Sequence, residues 1–102
     1  MSYLTHLECS KCGKRFSVEK VQTVCDTCGK PLFARYDLDA VGEAVTRREL
    51  VGREATMWRY WELLPVKHRS NVVSLGEGWT PLTLVRRLGE AVGTPDLWVK
   101  DE

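Results

Sequence analysis

Residues Cys9–Lys30 read CSKCGKRFSVEKVQTVCDTCGK and contain all four cysteines of the chain. They form two C-x-x-C pairs separated by twelve residues, and each pair is followed at once by glycine, Gly13 and Gly29. Two residues between cysteines let one tight turn aim both sulfurs at a single point. A glycine after the pair accepts positive φ and turns backbone N–H groups toward the thiolates. Cys9, Cys12, Cys25 and Cys28 are therefore the expected ligands of one tetrahedral S₄ metal site. Zinc suits that donor set, and an iron centre of the rubredoxin kind uses similar ligands. Four protein ligands leave no position for water or substrate, so the metal is expected to be structural. Two disulfides and a thioredoxin-type redox pair are the weaker alternatives. His6, three residues before Cys9, reads as a strand histidine outside an already complete ligand set.

Short β-type runs flank the cysteines: YLTHLEC, KRFSV and LFARY. The expected unit over 1–36 is a zinc ribbon with rubredoxin-like β-hairpins. So small a unit needs its metal in order to fold. Nucleic-acid binding is disfavoured here. Lys11, Lys14, Arg15, Lys20, Lys30 and Arg35 face Glu8, Glu19 and Asp26, and four thiolates with one divalent ion bring the segment close to +1. A groove-tracking patch needs a denser basic stripe than this.

Outward from the cysteines, residues 37–65 read as a helical connector. Asp37 is the expected N-cap of a helix presenting Leu38, Val41 and Val45 on one face. Thr46 and Glu49 fit a capping box. MWRYWELL has helical spacing and Pro65 ends it. Residues 66–102 read as the start of an α/β unit. VVSL is an expected strand, GEGWTP a turn, LTLVRRLGEAVG a helix with Leu84, Leu88 and Val92 inward and Gly93 at its end, and DLWVK a second strand. Strand, helix, strand in that order predicts a parallel pair. Such a pair cannot cover both its faces alone, so the fold class is α+β: a ribbon, helices, and the truncated front of a larger α/β domain. Gly76, Gly78 and Pro81 read as turn residues, and Glu77 as a hydrogen-bond acceptor fixing the loop. Trp58, Trp61, Trp79 and Trp98 read as core or interface residues.

The whole chain of 102 residues is nearly charge-balanced, with 15 basic and 14 acidic residues. No stretch is apolar for long enough to span a bilayer, and MSYLTHLECSK lacks the pattern of a signal peptide. A cytoplasmic protein without membrane partners is expected.

The series WRY…LLP, LGEGWTPL and VKDE resembles the N-terminal region of PLP-dependent threonine synthase, a fold-type II enzyme. The zinc-ribbon-like segment before FARYDLDAV also occurs in some members of that family. The resemblance implies a parent that converts O-phosphohomoserine and water into threonine and phosphate, with PLP as electron sink. It also implies that the PLP lysine lies in an S-F-K-type motif beyond Glu102. Lys100 matches the strand lysine before that motif and is not the Schiff-base residue. No catalytic or PLP-binding residue is therefore expected in this chain, and PLP belongs to the complete enzyme only. The expected partner is the remainder of the PLP-enzyme body, or a second copy of the chain. The alternative is a stand-alone zinc-ribbon adaptor that binds protein or nucleic acid.

Overall fold

The computed structural model describes residues 2–102. Its first body is a three-stranded antiparallel sheet of order β2-β1-β3, made of β1 (Leu4–Cys9), β2 (Arg15–Phe16) and β3 (Leu32–Tyr36). These are the three β-type runs around the cysteines. In the central strand, Leu7 faces Phe16 on one side and Ala34 on the other. Cys9 is paired with Leu32, so the sheet ends at the first cysteine.

The chain leaves β3 at Asp37, which caps α1 (Leu38–Ala44) by accepting the Ala40 N–H at 3.0 Å. Helix α2 (Arg47–Val51) begins with the expected capping box. Glu49 N–H donates to the Thr46 hydroxyl, and the Glu49 carboxylate accepts the Thr46 N–H at 2.8 Å. The MWRYWELL segment winds as a 3₁₀ helix over Met57–Leu63, with Thr56 as N-cap and a non-helical Tyr60 inside it. A 3₁₀ turn eclipses residues i and i+3. That places Trp58 and Trp61 together, with ring centroids 6.0 Å apart. A second 3₁₀ turn covers Arg69–Asn71.

The last third corrects three expectations. VVSL forms no strand, and Leu75 lies in a bend and is 94% exposed. The strand instead falls at β4 (Leu82–Leu84), just after Pro81, and the helix α3 shrinks to Arg86–Ala91. The second strand, β5 (Trp98–Lys100), pairs with β4 antiparallel rather than parallel. A helix of six residues is about 9 Å long, and Gly93, at φ 73°, turns the chain back directly after it. The chain therefore returns alongside β4 instead of crossing over it. Leu88 and Val92 point to solvent, and the buried position of α3 is Gly89.

Little of the chain is buried. Among the apolar side chains of the described residues only Cys9, Cys25 and Trp61 are buried. The radius of gyration is 18.4 Å, against about 13 Å for a compact chain of this length. Backbone bonds hold the ribbon to the connector: Tyr3 donates to Glu62 O at 3.0 Å and Asp37 donates to Tyr3 O at 3.1 Å. No helix among the described residues is long and apolar enough to cross a membrane.

Candidate metal centre

The two C-x-x-C turns are built alike. Cys9 N–H donates to Lys14 O at 2.9 Å, and Gly13 N–H returns to Cys9 O at 3.2 Å. In the second turn Cys25 donates to Lys30 O at 2.9 Å and Gly29 returns to Cys25 O at 2.8 Å. Gly13 and Gly29 sit at φ 72° and 67°, the left-handed region that closes each turn without steric cost. The turns are laced to one another by Ser10 N–H on Pro31 O at 3.0 Å and by Lys14, whose ammonium lies 2.6 Å from the Asp26 carboxylate.

This doubled geometry brings all four sulfurs within 4.8 Å of one another. Individual separations are 3.4 Å for Cys9–Cys28, 3.7 Å for Cys12–Cys25 and 3.9 Å for Cys12–Cys28. A tetrahedron with metal–sulfur bonds of about 2.3 Å has edges of about 3.8 Å, so the cluster matches a four-thiolate site. The shortest contact is far from the about 2.04 Å of a disulfide, and all four cysteines are free. The first cysteine of each pair is buried, Cys9 at 3% and Cys25 at 1% exposure, while Cys12 lies open to solvent.

The backbone prepares the sulfurs for ionisation. Cys9 Sγ accepts the N–H groups of Cys12 and Lys11, both at 3.4 Å, which lowers its pKa to about 6. Burial opposes ionisation of Cys25, but the N–H groups of Thr27 and Cys28 turn the balance and lower it as well. Cys28, against the Cys9 sulfur, is raised to about 11. Four thiols this close cannot all ionise without a cation among them, and a divalent ion resolves the conflict. The arrangement is a ligand set able to hold one metal ion. His6 stands outside it: Nδ1 lies 3.0 Å from the Thr5 hydroxyl and Nε2 lies 3.7 Å from Glu8.

The GEGWTP loop packs on the 3₁₀ helix rather than on the cysteines. Gly76 and Gly78 take φ of 82° and 88°, and Trp79 follows at 54°. Glu77 accepts the Leu75 N–H at 2.6 Å, as expected of it. Trp61 is buried and Trp58 half-buried, whereas Trp79 and Trp98 are largely exposed. Arg59, which carries no signal in the sequence beyond its place between two aromatics, is only 8% exposed.

Similarity to known proteins follows the same two segments. The chain is 42% identical over 94 residues to threonine synthase of Methanocaldococcus jannaschii, covering 92% of this chain and 23% of that protein. It is 34% identical over 97 residues to threonine synthase of Methanosarcina acetivorans, covering 95% of this chain and 23% of the relative. Over this stretch the chain is similar to threonine synthases. The chain spans about a quarter of the length of these two threonine synthases, and because the matches cover 92% and 95% of this chain they run through both the cysteine turns and the GEGWTP loop. No family model matches the chain, and no solved structure matches it.

Proposed function

We propose that this chain serves as the amino-terminal part of a threonine synthase, and that its own role is structural. The observation that carries this reading is the end-to-end similarity to two threonine synthases by a chain a quarter of their length. In this reading residues 1–36 are a zinc ribbon, 37–65 a helical connector and 66–102 the front of the PLP-enzyme body, all cytoplasmic. Cys9, Cys12, Cys25 and Cys28 hold one Zn²⁺, which organises the two turns and does no chemistry, because its four ligands fill its coordination shell.

The same reading places the partner. The sparse core and the exposed Leu75, Trp79, Leu82, Trp98 and Val99 suit a surface covered by the rest of such an enzyme. On this proposal the PLP lysine is not one of this chain's residues, and Lys100, which donates to the Thr80 carbonyl oxygen from the end of β5, is a strand lysine. Conversion of O-phosphohomoserine to threonine belongs, on this proposal, to the complete enzyme.

The test uses the purified chain. It should contain one zinc per chain, form no borohydride-reducible PLP adduct in stoichiometric amount, and release no phosphate from O-phosphohomoserine in the presence of PLP. Phosphate release by the chain alone would overturn the proposal.

A further inference from the structure

The four sulfurs of the candidate metal centre are not equivalent. Cys9 and Cys25, the first cysteine of each pair, are buried, Cys28 is half-buried and Cys12 is exposed. Their hydrogen bonds divide the same way. Cys9 Sγ accepts two backbone N–H groups, from Lys11 and Cys12, and Cys25 accepts two, from Thr27 and Cys28. Cys12 accepts one, from Lys14, and Cys28 accepts one, from Lys30. The pattern repeats because each C-x-x-C turn aims its inner amides at its own first sulfur.

Both differences act on reactivity. An N–H donor stabilises the charge on a thiolate, and a more stabilised thiolate is a weaker nucleophile. Burial keeps a reagent away from the sulfur altogether. The two effects together spare Cys9 and Cys25. They leave Cys12 as the one cysteine that is both open to solvent and lightly hydrogen-bonded, with Cys28 behind it for want of exposure. The other three sulfurs all lie within 4.8 Å of Cys12. A thiol able to complete a second step therefore stands beside the first.

We propose that Cys12 is an oxidation site, and that hydrogen peroxide reacting there releases the metal ion. The proposal rests on the reading of the four cysteines as one metal site. The Cys12 thiolate attacks a peroxide oxygen. The S–O bond forms as the O–O bond breaks, and hydroxide leaves and takes a proton to become water. The sulfur is now a sulfenic acid. A neighbouring thiolate attacks it, the S–S bond forms, the S–O bond breaks, and the second oxygen also departs as water. In sum, two thiolates, one hydrogen peroxide and two protons give one disulfide and two waters. Two thiolates remain, too few to fill a four-coordinate shell. A reducing thiol reverses the reaction by exchange and restores the ligand set.

The experiment treats the full, zinc-loaded chain with one equivalent of hydrogen peroxide. A mass spectrum under non-denaturing conditions, taken first, reports the bound ion by itself. Failure of the metal-site reading is thereby seen separately from failure of this inference. A zinc-binding dye then follows release, the remaining thiols are alkylated, and the peptides are mapped. Zinc should leave in step with a disulfide that contains Cys12, whichever of the three neighbours is its partner. Dimedone added with the peroxide should label Cys12 in place of that disulfide. Excess zinc should leave the rate unchanged, because the bound cluster itself reacts. A chain that held no zinc is mapped in the same way, and Cys12 must still react first. A first disulfide lacking Cys12 would overturn the proposal. So would zinc retained after the peroxide is consumed, or a rate that excess zinc suppresses.

Discussion

The backbone nitrogen of Met57 is pressed against Gly78. It donates to Glu77 O at 3.0 Å, and a Cβ built on Gly78 would stand 2.5 Å from that same nitrogen. This contact seats the GEGWTP loop on the start of the 3₁₀ helix, and only a residue without a side chain permits it.

Gly78→Ala is therefore expected to lift the loop. Its φ of 88° alone penalises alanine, by roughly 1–2 kcal/mol, and the clash with Met57 adds to that. The tryptophan near-UV circular dichroism should diminish and the unfolding midpoint should fall. Unchanged stability would show that the loop is not held by this contact.

Removing the metal tests the thiol cluster. A strong chelator, or Cys25→Ser at the most buried ligand, should unfold residues 1–36, because metal binding contributes about 10–16 kcal/mol in small four-ligand units. Amide exchange in β1 and β3 should become fast while that of α3 is little altered. A cadmium-loaded chain should show thiolate charge-transfer absorption that the serine variant loses. Retained protection in β1 after chelation would count against a structural ion.

The Arg53–Glu62 pair predicts a pH dependence. The hydrogen bonds from Arg53, ahead of the opposing effect of burial, hold the Glu62 carboxyl below its ordinary 4.5. A depressed carboxyl stabilises the fold above the unfolded-state value and loses that contribution as pH falls through the folded one. Glu62→Gln should thus cost about 1–2 kcal/mol at pH 7, between an exposed pair and a buried one. The difference from the parent should close below pH 4.5, and equal pH profiles for the two proteins would refute the assignment.

Thr46→Ala removes half of the capping box on α2. The expected loss is about 1 kcal/mol, read by denaturant unfolding, with Thr46→Ser close to the parent. The effect should be independent of metal, since α2 makes no contact with the cysteine turns through this cap.

The features legible in the sequence were the local ones. The C-x-x-C-G turns, the Asp37 cap and the Thr46–Glu49 box each depend on bonds spanning two to five residues, so residue type and spacing suffice to specify them. The turn glycines of GEGWTP belong to the same class. The identity of the loop as something that packs on WRY did not, since the glycine at 78 meets a residue twenty-one positions earlier.

Composition and spacing by themselves determined that four thiols converge, where α1 and α2 begin, and which glycines must turn the backbone. Only the tertiary structure decided that residues 82–84 run antiparallel to 98–100, and that Arg59 lies buried beneath Trp79 with two nitrogens unmatched. The physical reason is range. A knuckle or a cap is satisfied by its neighbours along the chain, whereas strand direction and the burial of a charge depend on partners that folding brings from elsewhere.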